Sequence, residues 1–201
     1  MRDCLVILTL AGRRIDARGA KDARFPLRNA NRVAKEVQSR FESLAVGVLV
    51  SSAACGADLI ALNAARKLGI RSRIVLPFAP RHFRQTSVID RPGNSTWNWG
   101  TLFDEFIKKA NDTDDLIVLP RRGGGTGAKT SAYVETNQRL ITEALNLSRR
   151  GAYCDQGDSG KEQNRAMIIW EGRSRGEDDL TAEFAERAQQ AGMTIEEVNT
   201  V

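Results

Sequence analysis

The sequence predicts an α/β fold: a single Rossmann-like three-layer domain whose mainly parallel sheet lies between helices. Short apolar runs of strand length alternate along the chain with longer segments whose apolar residues recur at helical spacing. Three such alternations precede residue 77, and this order is typical of parallel sheets. A chain of 201 residues is long enough to form a hydrophobic core, so one domain over 1–201 is expected.

Six segments are predicted as strands because each is a short apolar run bounded by turn residues. The first begins at Cys4 and leads to Gly12, and the third is stopped by Pro77. The predicted strands cover residues 4–11, 45–52, 72–76, 115–119, 166–170 and 194–198.

Five segments are predicted as helices. In the first of them Val33, Val37 and Phe41 recur every four residues and share one face. Gly69 and Gly192 follow the second and last helices, at the position where a left-handed residue ends a helix. The predicted helices cover residues 31–41, 57–68, 101–110, 131–147 and 178–191.

Three further segments are predicted as loops. Residues 78–100 contain Pro80 and Pro92 and are expected to form one long connection. It either covers the carboxyl edge of the sheet, where open α/β sheets bind ligands, or is a surface excursion whose aromatic residues pack on the domain. The segments near 120–130 and 148–165 are predicted as loop insertions.

Composition limits the class of protein. The net charge of +5 and the pI of about 9.4 fit anionic ligands, nucleic acid or simple solubility. The arginines lie near presumed loop ends without a basic, aromatic-rich stripe, so a phosphate-bearing small molecule is favoured and nucleic acid is not expected as a partner. No apolar run approaches the roughly 20 residues of a membrane span, so no membrane association is expected.

Cysteine and histidine are scarce. The three cysteines are widely spaced, which indicates neither a disulfide framework nor a zinc site, and a reducing cytoplasm is the expected compartment. His82 is the single histidine, which excludes a multi-histidine metal centre. We therefore expect no bound metal and no cofactor.

The segment 48–58 is the strongest candidate for a ligand-binding turn, because an apolar strand there gives way to small residues and then to a helix. Small side chains at Ser51, Ser52 and Gly56 would let a ligand approach the backbone. Free N–H groups at the start of the next helix would bind an anion. Asp58 could cap such N–H groups or accept a ribose hydroxyl. A tight strand–helix turn with a capping Asp is the alternative.

Three groups of residues, in this order, resemble the SLOG superfamily of Rossmann-like domains. They are 12–14 with 24–26, then 51–58 with 74–78, then 168–172 with 175–176. Tyr133 and Asn137 also fit the pattern. The nearest likeness is to SLOG-type domains of bacterial nucleotide signalling and defence. The resemblance implies binding or sensing of a nucleotide-derived ligand at the carboxyl edge of the sheet, and it leaves homo-oligomerisation open. The ligand-binding residues that it implies are Gly12, Arg13, Arg14, Ser51, Ser52, Gly56, Asp58, Gly172, Arg175 and Gly176.

Within this superfamily, the LOG phosphoribohydrolases cleave the N-glycosidic bond of nucleoside monophosphates through a Pro-Gly-Gly-x-Gly-Thr-x-x-Glu motif. Residues 120–127 with Glu135 look somewhat like it, although two arginines intervene after Pro120 and Glu135 lies nine residues beyond Thr126. If the chain is such a glycosidase, Glu135 and Glu171 are the expected catalytic residues. A third reading is single-stranded DNA binding, as in the related DprA family. Whether the protein is an enzyme stays open at this point.

Overall fold

One six-stranded parallel sheet forms the centre of the molecule, which confirms the predicted fold class. The computed structural model describes residues 5–120, 128–149 and 164–201. Within these ranges the strands are ordered β4-β3-β2-β1-β5-β6, and every neighbouring pair is parallel. They are β1 (Val6–Gly12), β2 (Val46–Ser51), β3 (Arg71–Leu76), β4 (Leu116–Val118), β5 (Asn164–Trp170) and β6 (Thr194–Asn199).

Helices cover both faces of this sheet. The described ranges contain α1 (Ala30–Ser43), α2 (Ala57–Lys67), α3 (Pro80–Ser87), α4 (Trp99–Asp112), α5 (Ala128–Arg149) and α6 (Leu180–Gln190). α1, α2 and α4 pack on one face, whereas α5 and α6 pack on the other. None of these helices is both long and apolar enough to cross a membrane.

β1 lies between β2 and β5 and is almost continuously apolar because helices cover both of its faces. Successive side chains of a strand point to opposite faces. Leu8 and Leu10 accordingly belong to the core under α1 and α2, whereas Ile7 belongs to the core under α5 and α6. All three are fully buried, and burial of such a side chain contributes about 1.5–3 kcal/mol. β1 is therefore fixed from both sides, and so is the turn that follows it.

The prediction that 78–100 forms one long loop is wrong for Pro80–Ser87, which form the helix α3. Proline is well suited to the first position of a helix, where its fixed φ fits and its missing N–H is not needed, and Pro80 occupies that position. Further on, the Trp97 and Trp99 rings stack with their centroids 5.2 Å apart, and both side chains are buried. These aromatic residues thus pack on the domain, as the alternative interpretation states. The proposed insertions near 120–130 and 148–165 lie mostly outside the described residues.

Candidate functional site

The candidate site is a cleft of about 580 Å³ at the carboxyl edge of the sheet. From β1 the chain moves outward through β2, β3 and β4 on one side, and β5 and β6 lie on the other. The loops after β1 and β5 therefore diverge, and open α/β sheets bind ligands in the crevice left by such a divergence. The cleft volume lies within the range of small-molecule sites, about 300–1,000 Å³. Its walls come from the loops after β1 and β2, from α3 and α5, and from the start of α6.

Gly12, which lines this cleft, lets β1, β5 and α2 pack closely together. A side chain at Gly12 would place its Cβ 2.5 Å from Ala57 Cβ and 2.6 Å from the Ile169 carbonyl oxygen. The next residue, Arg13, donates its N–H to Ile169 O at 2.8 Å and accepts the Ala57 N–H at 3.1 Å. The end of β1 is thereby fixed between β5 and the first turn of α2.

The Arg13 side chain is buried against two acidic residues, Glu171 and Asp179. Its Nε donates to Glu171 Oε2 at 2.5 Å, and its Nη1 and Nη2 donate to the two Asp179 oxygens at 2.5 and 2.7 Å. The exposed fractions of the three side chains are 3%, 3% and 0%. Burial alone would raise the pKa of Asp179, but hydrogen bonds from Arg13 and from the Arg175 N–H hold it well below its usual range. We call Arg13, Glu171 and Asp179 the Arg13 clamp, because it joins the turn after β1 to the loop after β5.

Asp179 also caps α6. Its Oδ1 accepts the N–H groups of Thr181 at 3.0 Å and Ala182 at 3.3 Å, and its Oδ2 accepts the Arg175 N–H at 2.8 Å. These donors at the start of α6 are therefore already satisfied by a carboxylate.

The turn before α2 uses its N–H groups in a similar way. Three of them have acceptors within the protein: Ala54 to Asp58 Oδ2 at 3.0 Å, Cys55 to Ser87 O at 3.0 Å, and Ala57 to Arg13 O at 3.1 Å. The expectation that the start of α2 offers free donors to an anion is wrong for these three groups. Asp58 instead caps the turn, which is one of the two roles predicted for it.

Gly56 is required by backbone packing. Its φ of +94° favours glycine, and an added Cβ would lie 2.8 Å from both Arg13 O and Ile15 N. Gly56 is not among the residues that line the cleft. A side chain at this position would therefore strike the turn after β1, whereas the sequence had suggested that it would occupy ligand space.

Two polar side chains, Ser52 and Asp58, form what we call the floor of the cleft. The Ser52 Oγ is buried and has no hydrogen-bond partner in the described part of the chain. Asp58 is 7% exposed, and its Oδ1 likewise has no hydrogen-bond partner there. Burial raises the pKa of Asp58 to about 7, against the lowering effects of the Ala54 N–H and of Arg14. Near neutral pH the floor can thus both donate and accept hydrogen bonds.

One wall of the cleft is formed by α3 and α5. The Ser87 and Tyr133 hydroxyls are 2.8 Å apart, and Asn137 Nδ2 donates to Leu180 O at 2.8 Å. Phe83 lies behind this wall as part of the core. Ser87 was missed because α3 was taken for a loop, and Pro80 was the signal that could have located that helix. Tyr133 and Asn137 entered the sequence analysis only through the family resemblance.

Three cationic side chains that line the cleft, Lys21, Arg24 and Arg175, are its more exposed ones, and we call them the rim. Arg24 Nε is 3.9 Å from Glu171 Oε1, and Arg175 Nε is 3.6 Å from Asp179 Oδ2. These distances exceed those of direct hydrogen bonds. Lys21 is exposed and makes no ion pair with any described residue. The rim cations are therefore only weakly engaged, in contrast to Arg13.

The cleft brings together six of the ten predicted ligand-binding residues, namely Gly12, Arg13, Arg14, Ser52, Asp58 and Arg175. Ser51, Gly56, Gly172 and Gly176 do not line it, and neither do the two predicted acids Glu135 and Glu171. Ligand contact by any of these residues stays a prediction. The glycine-rich segment 121–127 lies outside the described residues. Within the described ranges, no three His, Cys, Asp or Glu side chains are grouped so that they could hold a metal ion.

No protein-family model matches the chain, and no curated protein matches it. Among solved structures, it is similar to the X-ray structure of DNA processing protein A (DprA) from Streptococcus pneumoniae, with 16% sequence identity and a TM-score of 0.38. The similarity covers 98% of this chain and 59% of that protein, so the chain spans about three fifths of its length. A similarity at this level assigns no family, ligand or activity to this chain.

Proposed function

We propose that the cleft binds a nucleotide or a nucleotide-derived ligand. The location of the cleft beside the diverging loops after β1 and β5 supports a ligand site. A hydroxyl-rich interior suits a sugar, and the cationic rim suits phosphate.

The observation that carries this proposal is the unpaired Ser52 hydroxyl at the floor. More than about 90% of buried polar groups in proteins have a hydrogen-bond partner, and an unpaired one costs roughly 1–3 kcal/mol. Asp58 Oδ1 beside it also has no hydrogen-bond partner among the described residues. A ligand with hydroxyl or amine groups would satisfy both.

A thermal-shift panel of nucleoside monophosphates, NAD derivatives and cyclic dinucleotides tests the proposal. A ligand at 100 times its Kd stabilises the fold by about 2.7 kcal/mol, which corresponds to about 5–10 °C for a domain of this size. Ser52→Ala should weaken binding about three- to tenfold. Ser43→Ala, on the exposed surface of α1, is the matched control and should bind like wild type. If no member shifts the melting temperature at millimolar concentration, the proposal is refuted.

N-glycosidase activity remains the alternative function. Its predicted acids do not line the cleft, and the two oxygens of Glu171 face Arg13 and Arg24. Chromatography of each nucleotide after incubation would reveal released base, and loss of that release in Glu135→Gln or Glu171→Gln would favour the enzyme. The third reading, single-stranded DNA binding, predicts an affinity that falls steeply with salt concentration.

A further inference from the structure

Several backbone donors around the interior of the cleft are already engaged. The N–H groups of Ala54, Cys55 and Ala57 have protein acceptors, and the donors at the start of α6 are bonded to Asp179. Helix starts bind phosphate through free N–H groups and a positive end. At the start of α6 the Asp179 carboxylate already occupies that position, and before α2 the Asp58 carboxylate accepts the Ala54 N–H.

Arg13 and Arg14 add little to this supply of donors. The Arg13 Nε, Nη1 and Nη2 atoms all donate to groups of the protein. Arg14 is bonded through Nη2 to Asp90, and its buried Nε has no hydrogen-bond partner in the described part of the chain. A phosphate placed inside would meet the buried Asp58 carboxyl, whose pKa is raised to about 7, and would compete with the existing ion pairs of both arginines.

The rim offers the opposite environment. Arg24 and Arg175 have their acids 3.9 and 3.6 Å away, and Lys21 makes no ion pair within the described ranges. Their guanidinium and ammonium groups can form new charge-assisted hydrogen bonds without first breaking a short ion pair. Phosphate is therefore better accommodated at the mouth of the cleft than at its floor.

From this contrast we infer that a nucleotide binds with its neutral sugar or base on Ser52 and Asp58 and its phosphate outward, at the rim. This inference rests on the proposed function and adds the direction in which the ligand enters the cleft. It is the reverse of the usual arrangement, in which phosphate lies on the glycine-rich turn between strand and helix. The floor then distinguishes ligands by their hydroxyl or amine groups, whereas the rim supplies affinity for their charge.

Calorimetry with and without the phosphate tests the orientation. The probes are AMP, GMP, CMP and UMP, together with their nucleosides adenosine, guanosine, cytidine and uridine. The variants are Asp58→Asn, the double variant Arg24→Gln/Arg175→Gln, and, as a control, Arg66→Gln, which lies outside this cleft. Asp58→Asn should lower the affinity for a monophosphate and its nucleoside by the same factor. The double variant should lower monophosphate affinity about tenfold or more and leave nucleoside affinity within about twofold.

Three results would overturn the orientation while leaving the proposed function standing. The first is that Asp58→Asn raises monophosphate affinity but not nucleoside affinity, since this would place phosphate beside that carboxyl. The second is that only the dinucleotides of the thermal-shift panel bind, and the third is that the double variant weakens both probes equally. If Asp58→Asn does not fold, as judged by circular dichroism, Ser52→Ala replaces it with the same expected pattern. Absence of binding by every nucleotide refutes the proposed function itself.

Discussion

Arg13→Met is the sharpest test of how the cleft is held together. Methionine keeps much of the side-chain volume but leaves Glu171 and Asp179 buried without their common cation. Removing one partner of a buried ion pair typically destabilises a protein by about 3–5 kcal/mol. We expect a loss of that size in the free energy of unfolding, measured by urea denaturation at pH 7.

The pH dependence of this loss follows from Asp179. The pKa of its carboxyl is lowered in the folded protein, so its stabilising contribution is present above its unfolded pKa, about 3.9. That contribution is lost as pH falls through the folded pKa. In Arg13→Met the carboxylate loses the two short hydrogen bonds from Arg13 and takes up a proton more readily, so the deficit relative to wild type should be smaller at pH 4 than at pH 7.

Lys108→Met is the control, because it removes a cation from an exposed pair with Asp112 on α4. Exposed pairs of this kind contribute about 0.5 kcal/mol or less. The double variant Arg13→Met/Asp179→Asn should recover part of the loss, since it no longer leaves that carboxylate unpaired. A loss in Arg13→Met no larger than in Lys108→Met would refute the clamp as a stabilising element.

Three further predictions concern the turns around the cleft. Gly56→Ala should lower the free energy of unfolding, measured by urea denaturation, by more than Gly69→Ala. Both glycines have positive φ, but only at Gly56 would an added Cβ also lie within 3 Å of backbone atoms. Equal losses would contradict this. The pKa of Asp58, raised to about 7, makes wild type lose stability as pH rises from about 3.9 to 7. The free energy of unfolding of Asp58→Asn, taken relative to that of wild type, should therefore rise by roughly 2–3 kcal/mol from pH 5 to pH 8. A difference that does not change with pH would exclude a buried, titrating carboxyl. Asp16→Ala removes the acceptor of the Arg24 and Phe25 N–H groups and should speed proteolytic cleavage between residues 16 and 25, and an unchanged rate would show that this carboxylate does not hold the loop.

Local signals in the sequence were sufficient for the sheet and for the position of the cleft. The central strands were recognisable because they are buried on both faces, which makes them short apolar runs, as in Val46–Ser51. The order of strands and helices then placed the loops after β1 and β2 at one edge. Pro80 hid α3, because a proline read as a loop signal also fits the first turn of a helix.

The bonding state of the predicted site residues could not be read from local sequence. The acids that neutralise Arg13 lie 158 and 166 residues further along the chain, so no spacing rule connects them to it. The donors before α2 were expected to be free because their acceptors, Ser87 O and Arg13 O, are carbonyls of distant segments. Sequence patterns identify donors and charges, whereas the fold decides which of them already have partners.

The central place of β1 has a consequence for synthesis of the chain. One edge of Val6–Gly12 pairs with Val46–Ser51, which follows soon after, but the other edge pairs with Asn164–Trp170, about 150 residues later. At translation rates of about 5–20 residues per second, the backbone N–H and C=O groups of that edge wait roughly 8–30 s for their partner strand. Unpaired strand edges are templates for aggregation, so the nascent chain is most vulnerable in this interval, and a chaperone would act on β1 before β5 leaves the ribosome.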